Sequence, residues 1–415
     1  MTILITGGAG FIGGHTVLAF IDRGEVPIVL DDLSTGNRAA VPPGVPFFAG
    51  DVGDTELVLR LVQNHRIDAI LHFAAKIVVP ESVADPLNYY HNNTVKTHTL
   101  LQAAVRGNVK HFVFSSTAAV YGNPSFTPVS ETADPAPLSP YGRSKLMSEY
   151  MLADASAAYD LRYVTLRYFN VAGADPAGRL GQSTPEATHL IKVALETALR
   201  RRSYMSIYGS DYPTPDGTCV RDYVHVSDLA RAHLAALDYL RDGGESRTLN
   251  CGYGRGYSVR EVVDAVRRVA GVDFEIRQAP RRAGDPASIV ANSDQLMKLG
   301  WKPELNDLPK MIEHAHNWEK KLTAGASGIG IHQRGHSVSG HRTMPSRASR
   351  LPVQSGTGHS ADKGPAHSSG RSHQGKLDWI GIQLSGKFWM GAGMFSLALG
   401  VHFKQVLQRD GGIGA

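Results

Sequence analysis

Along the first half of the chain, short apolar runs alternate with segments whose apolar residues recur every three or four positions. The runs Thr2–Thr6, Val26–Asp31, Ala69–Phe73, His111–Ser115 and Arg162–Tyr168 have strand length. Near-continuous apolar runs of that length suit strands buried on both faces. Helical periodicity falls between them, at Gly13–Arg23, Thr55–His65, Tyr90–Arg106 and Tyr141–Ala158. Pro27 lies near the start of its strand, where a missing N–H is tolerated. Strand alternating with helix predicts βαβ units and a parallel sheet covered on both faces.

Beyond about residue 175 the alternation loosens. Helices are expected at Ala187–Arg201 and His225–Leu240, on either side of a loop rich in Gly, Pro and Asp at Gly209–Gly217. A strand at Thr248–Cys251 and a helix at Ser258–Ala270 follow, and Ser258 with Glu261 three residues later forms a capping-box pattern. The expected fold class is α/β. A Rossmann-type doubly wound parallel sheet over residues 1–175, completed by later segments, carries a smaller interleaved α/β substrate lobe over residues 176–322. From Ala324 to Gly375 the chain is crowded with Gly, Ser, His, Arg and Pro. That composition cannot offset its ordering entropy by burial, so residues 323–415 are expected to be a disordered, low-complexity basic tail. Its histidines (His332, His336, His341, His359, His367, His373) fit that biased composition better than a metal site. Phe388–Val401 is uncharged but short and interrupted by glycine, whereas a membrane span needs about 18–20 apolar residues.

Charge is uneven. Residues 323–415 hold 10 of the 43 Lys/Arg but 3 of the 38 Asp/Glu, which leaves 33 against 35 in residues 1–322. The net charge of +5 therefore belongs to the tail and argues against a nucleic-acid groove in the main part. The two cysteines, Cys219 and Cys251, form no C-x-x-C pair or zinc set and suit a reducing cytoplasm. A first strand at Thr2 and a glycine turn at Gly7 leave no room for a signal peptide.

The chemistry begins at Thr6-Gly7-Gly8-Ala9-Gly10-Phe11-Ile12-Gly13, between a strand and a helix. One glycine makes the tight turn, one lets backbone approach a pyrophosphate, and one lets helix pack on strand. The helix N-terminus then offers free N–H groups to phosphate. Asp31 ends the next strand, 18 residues beyond Gly13. A carboxylate there accepts ribose hydroxyls and repels a 2′-phosphate, which favours NAD over NADP. Asp32 reinforces this, while Arg38 lies close by. Asp51-Val52, after a third strand, are candidates for the adenine edge, or for a plain strand end. Ser115-Ser116-Thr117 end another strand. Tyr141 and Lys145, at i and i+4 on one helix face, can both address the cofactor. A nearby ammonium favours phenolate, so Tyr141 is expected to act as a base near neutral pH, with Lys145 also holding the nicotinamide ribose.

The glycine turn, the Ser-Ser-Thr strand end and the Tyr-x-x-x-Lys helix resemble the extended short-chain dehydrogenase/reductase superfamily. Within it the chain is most similar to the UDP-glucose (UDP-galactose) 4-epimerase family over about residues 1–321. The stretches that carry this likeness are His72–Ala75, Pro86–Asn93, Val120–Gly122, Ser139–Lys145, Leu166–Asn170 and Asp211–Tyr223. The resemblance implies reversible 4-epimerisation through a 4-keto sugar, with Tyr141 as base, Thr117 bonded to the reacting oxygen, and NAD retained throughout. It implies that Gly7, Gly10, Phe11, Ile12, Gly13, Phe73, Ala74, Asn92 and Ser115 line the NAD site, with Tyr168 near the nicotinamide. It assigns Asn170, His189, Leu190 and Tyr208 to the nucleotide sugar, Arg221 and Arg282 to the pyrophosphate, and Asp285 to the uridine ribose. Relatives are usually homodimers. Two positions depart or stay open. Many relatives carry a lysine where Ile77 stands, one place after Lys76. Ile289 occupies the position that tunes acceptance of N-acetylated sugars.

Rival readings are UDP-N-acetylglucosamine 4-epimerisation, or a UDP-glucuronate epimerase or decarboxylase. A 4,6-dehydratase would need an acid/base pair directly after Thr117, where Ala118 and Ala119 stand. A non-catalytic NAD sensor would have no use for Tyr141, Lys145 and Thr117 together.

Overall fold

Seven parallel strands build the main sheet in the computed structural model, which describes residues 2–184, 188–282 and 284–328. Six come from the first half: β1 (Thr2–Thr6), β2 (Ile28–Asp31), β3 (Phe47–Ala49), β4 (Ile67–His72), β5 (His111–Thr117) and β6 (Arg162–Tyr168). Two short lobe strands follow, β7 (Asn170–Ala172) and β8 (Met205–Tyr208), then β9 (Val220–His225) and β10 (Arg247–Cys251), and lastly β11 (Gly256–Ser258), β12 (Ile276–Ala279) and β13 (Ser288–Ile289). The main sheet runs β3-β2-β1-β4-β5-β6-β10, so β10 pairs with β6 and closes that edge. The strand order reverses between β1 and β4, and ligands of such sheets bind at that switch point, beyond the strands' carboxyl ends.

The helices in chain order are α1 (Phe11–Asp22), α2 (Thr55–His65), α3 (Val79–Ala84), α4 (Pro86–Tyr89), α5 (Lys96–Arg106), α6 (Pro140–Ala158), α7 (Leu190–Ala198), α8 (Val226–Arg241), α9 (Val259–Ala270), α10 (Asp294–Lys298) and α11 (Leu308–Gly328). The period-2 alternation of strand side chains divides the core into two layers. Ile3, Ile5, Val29, Leu71, Val113 and Leu166 pack against Val17 and Phe20 of α1 and Leu229, Ala236 and Leu240 of α8. Leu4, Leu30, Ile70, Phe112 and Phe114 face the other way, onto Val58 and Leu61 of α2, Leu100 and Ala104 of α5, and Leu152 of α6.

Most main-sheet boundaries fall within two residues of those expected. The segment Tyr90–Arg106 differs. Helix begins earlier, at Pro86, and Tyr90–Val95 forms a π-helical turn before α5 resumes. Such wide turns insert one extra residue and re-aim side chains, which is why they recur at functional sites. The helix expected at Ala187–Arg201 is observed as Leu190–Ala198; Ala187 lies outside the described residues, and Arg200 adopts positive φ just beyond the helix. The capping box at Ser258 and Glu261 is formed in full.

The later lobe holds β9 between β11 and β13, with β7 on its second half, and a separate β8–β12 pair. Its core joins Ile191 and Leu195 of α7, Val262 and Val266 of α9, and Met311 and Ile312 of α11. Helix α11 continues to Gly328, six residues into the segment expected to be tail. No proline or paired glycine interrupts it there, and the turns before it are anchored by buried Met311, Ile312 and Glu319. The rest of that expected tail, with its histidines and Phe388–Val401, lies outside the described residues. Among the described residues, no helix is long and apolar enough to cross a membrane, and no group of three His, Cys, Asp or Glu is placed to hold a metal ion.

Candidate active site

The glycine turn follows β1 at the switch point. Gly7 has φ +73°, and a Cβ there would stand 2.6 Å from the Ala74 backbone nitrogen. A Cβ on Gly13 would stand 2.2 Å from the Gly7 carbonyl oxygen. The chain thus packs backbone on backbone, with no room for any other residue. The Gly10 N–H donates to Gly7 O at 3.1 Å and tightens the loop. Helix α1 opens at Phe11 and Ile12 with Gly10 as N-cap, no capping side chain, and no acidic residue in its first turn. Its N-terminal N–H groups and positive dipole end suit the pyrophosphate of a dinucleotide.

Asp31 is buried at the end of β2. One carboxylate oxygen accepts the Ala9 N–H at 2.9 Å and the other the Leu33 N–H at 2.8 Å, so Asp31 also fixes the glycine turn. Burial pushes this carboxyl above its ordinary range, against the two backbone bonds. The Arg38 guanidinium donates to Val41 O at 3.0 Å and lies 4.6 Å over the Phe47 ring, so it is tied to its own loop. The surroundings of Asp31 therefore suit NAD, not a 2′-phosphate. Asp51 accepts from Lys96 Nζ at 2.6 Å and the Gly53 N–H at 2.8 Å. Although burial works the other way, the ammonium and this N–H hold its carboxyl below the usual range. Val52 is buried in the layer under α2 and α5.

Phe73 and Ala74 continue from β4 over the glycine turn; the Phe73 N–H donates to Thr6 O at 2.9 Å and its ring packs on His233. Asn92 sits in the π turn and donates to Asn93 Oδ1 at 3.1 Å. Asn93, whose role the sequence left unassigned, is the more tightly held. Its Oδ1 accepts the Lys76 N–H, and its Nδ2 donates to Lys76 O and Ser144 Oγ, lashing the loop after β4 to α6. The motif Asn92-Asn93 announced an amide there, but only the π turn decides which one points inward. Lys76 pairs outward with Glu81 at 3.3 Å, and Ile77 is 48% exposed, so neither supplies an inward cation.

Ser139 caps α6 by accepting the Gly142 N–H at 3.1 Å, with Pro140 at the first helical position. Tyr141 and Lys145 are both buried on the next two turns. The Thr117 side chain lies near the Tyr141 phenol and acts to lower its pKa. Lys145 Nζ donates to Ser115 O at 2.8 Å and lies 4.8 Å over the Phe114 ring. Ser115 Oγ meets Tyr168 OH at 2.5 Å. One strand end thus brings Tyr141, Lys145 and Tyr168 together. The electrostatics do not match expectation. Burial pushes the Tyr141 phenol up to about 12, and only the Thr117 side chain works against it. Burial brings Lys145 down to about 7, partly offset by Glu149. The ammonium is spent on the Ser115 carbonyl, so the protein alone does not make Tyr141 acidic.

In the later lobe, Asn170 is exposed at the start of β7, and His189 is the N-cap of α7, just before Leu190. Burial lowers the His189 imidazole below its ordinary value. Arg282 lies 3.8 Å over the Tyr208 ring. Arg221 donates to Val220 O at 2.9 Å, and its Nη2 lies 3.7 Å from the Asp285 carboxylate. Arg221 and Asp285 are thus neighbours, as are Arg282 and Tyr208. Ile289 is buried among Ala118, Leu146 and Phe169. After Thr117 the chain turns through Ala118–Tyr121 as a 3-10 helix, with no acid in that turn.

A sequence model of the NAD dependent epimerase/dehydratase family matches residues 3–252. The UDP-glucose 4-epimerase of Azospirillum brasilense is 54% identical over 332 residues, 79% of this chain and 95% of that one. The crystal structure of UDP-glucose 4-epimerase from Brucella ovis in complex with NAD is 44% identical, with TM-score 0.74 over 76% of this chain and 97% of that one. That of the Bifidobacterium longum enzyme in complex with NAD+ and UDP is 38% identical, with TM-score 0.75 over 78% and 100%.

Proposed function

The chain belongs to the NAD dependent epimerase/dehydratase family, and from that premise we propose that it interconverts UDP-glucose and UDP-galactose by 4-epimerisation with a resident NAD. The observation that carries this reading is the pairing of Tyr141 with Thr117 beside Lys145, at the strand end that faces the glycine turn. Bound NAD, held by the glycine turn and Asp31, would supply a reversible hydride acceptor for sugar C4. All else falls to the chain. Tyr141 accepts the proton of the 4-hydroxyl and later returns it. Thr117 hydrogen-bonds the reacting oxygen, and Lys145 supplies positive charge beside it. Gly7, Gly10, Phe11, Ile12 and Gly13 cradle the pyrophosphate of NAD and Asp31 holds its adenosine ribose, with Asp51 and Val52 at the adenine edge. Phe73, Ala74, Asn92, Ser115 and Tyr168 line the rest of the cofactor site.

Residues 1–175 serve as the NAD-binding domain and residues 176–322 as the substrate lobe. There Arg221 and Arg282 grip the UDP pyrophosphate, since guanidinium matches phosphate geometry. Asp285 takes the uridine ribose, and Asn170, His189, Leu190 and Tyr208 contact the nucleotide sugar. Ile289, of medium size, leaves the acceptance of an N-acetyl group open, so UDP-N-acetylglucosamine is a second substrate candidate. The homodimer is supported by exposed apolar side chains on helices that pack together: Val83 on α3, Leu87 on α4, Val95 in the π turn, and Met147 and Tyr150 on α6. Two free, buried thiols support a cytoplasmic setting. Purified protein given UDP-galactose without added NAD should form UDP-glucose. A folded, NAD-loaded protein that leaves UDP-galactose unchanged refutes the reading.

A further inference from the structure

Directly behind the catalytic pair lies a buried charge that none of the proposed roles uses. Tyr141, Lys145 and Glu149 stand at i, i+4 and i+8 on α6, one row along its surface. Glu149 is 6% exposed. Its Oε1 accepts the Ser116 hydroxyl at 2.5 Å, and its two oxygens accept Arg167 Nε and Nη2 at distances of 3.1 Å and 2.5 Å. Ser116 and Arg167 are direct partners in the β5–β6 register, so one carboxylate grips both strands. The Arg167 guanidinium lies 4.9 Å over the Tyr121 ring, and Tyr121 OH donates to Asn250 Oδ1 at 2.7 Å. The polar chain therefore runs from α6 through β5 and β6 to β10, wholly within the core.

A buried ion pair is a poor way to stabilise a fold, because apolar residues of the same volume serve as well or better. Its placement gives it another use. Ser116 lies between Ser115, whose carbonyl holds Lys145, and Thr117, the residue that acts on the Tyr141 phenol. Arg167 adjoins Tyr168, whose hydroxyl meets Ser115 Oγ. We propose that Glu149 is a positioning residue for the Tyr141–Lys145 pair: it locks α6 in register with the ends of β5 and β6 and sets a buried carboxylate one helical turn from Lys145. The titratable and charged groups around this part of α6 are Tyr141 and Glu149 from α6 itself, His72 from β4, Tyr163, Arg167 and Tyr168 from β6, Tyr121 after β5 with Glu131 acting on it, and Tyr89 of α4 with its partner Glu81 of α3. Glu149 is the carboxylate that acts on Lys145. The proposal rests on the epimerase reading, and wild-type activity in the same assay tests that reading separately.

The experiment compares Glu149→Gln, Arg167→Met and the double variant Glu149→Leu/Arg167→Met as NAD-loaded enzymes, over pH 5–10. Removing the carboxylate leaves Arg167 unopposed and lowers the Lys145 pKa, so the alkaline limb of kcat should move to lower pH. Removing Arg167 leaves Glu149 unopposed and should move that limb to higher pH. Opposite displacements of about half a unit or more, with KM within about threefold and kcat of Glu149→Gln down at least ~10-fold at pH 7, support the proposal. The double variant conserves packing and covers the case in which a single variant does not fold. It should bind NAD and melt near wild type, yet lose at least ~10-fold in kcat. Limbs that stay in place or move together, or a double variant with wild-type kcat, overturn it.

Discussion

Replacing Tyr141 by Phe removes one oxygen from the centre of the site and leaves the ring's packing in place. With the phenol pushed up to about 12, only about one group in 10⁵ is ionised at pH 7, a deficit of about 7 kcal/mol at roughly 1.4 kcal/mol per pH unit. The net rise of two units above an ordinary phenol, burial less the opposing effect of Thr117, accounts for about 3 kcal/mol of that. Two positive charges can make it up: the Lys145 ammonium, itself half-protonated at about pH 7, and the nicotinamide ring of bound NAD. The phenolate absorbance difference between wild type and Tyr141→Phe isolates this one group. In NAD-free protein it should titrate above pH 11, and in the NAD-loaded enzyme at least about two units lower. The variant should keep its NAD and melting temperature while kcat falls by ~10²–10⁴. A wild-type-minus-variant titration near pH 7 without NAD, or a variant within twofold of wild-type kcat, refutes the reasoning.

Three further outcomes are expected. Gly13→Ala puts a methyl 2.2 Å from Gly7 O, so the turn must open by about 1 Å, and NAD affinity measured by calorimetry should fall about 100-fold; an unchanged Kd contradicts the cradle. His15, His72, His225 and His233 are buried neutral, with pKa values lowered to between about 3 and about 4, so each takes up a proton on unfolding once the pH drops below 6.5. Stability should therefore fall as pH goes from 6.5 to 4, offset in part by Asp222, which is raised to about 6 and gains its proton in the folded state; a melting temperature that is flat over that range contradicts this. For the proposed homodimer, Met147→Glu with Tyr150→Glu should give a monomer in sedimentation where the wild type gives a dimer, and an unchanged dimer places the interface elsewhere.

The sheet was legible because its signals are local. Strands buried on both faces read as apolar runs, and the glycines at 7 and 13 answer a backbone demand no other residue meets. Tyr141, Lys145 and Thr117 could be singled out for the same reason: a helix start and a strand end each announce themselves. The later lobe was not legible strand by strand. β7, β11 and β13 are two or three residues long and take their stability from β9, a partner distant in the chain. The π turn that separates Asn92 from Asn93 has no periodicity to betray it. The charge states were hidden too. Spacing put an ammonium near a phenol, but burial, which raises one and lowers the other, comes only with the packed fold.

The late arrival of β10 has a consequence for how the molecule can be made or divided. The nucleotide-binding sheet lacks its last strand until residue 251 has been synthesised, after much of the other lobe. Before then the β6 edge from Arg162 to Tyr168 is an open template, and α8 is absent from over Val164 and Leu166. A gene fragment cut at residue 175 would encode six of the seven main-sheet strands and leave the β6 edge unprotected. It would tend to aggregate rather than bind NAD. The two lobes therefore cannot be exchanged between relatives as cassettes, and damage anywhere in residues 226–251 should empty the cofactor site from across the sequence.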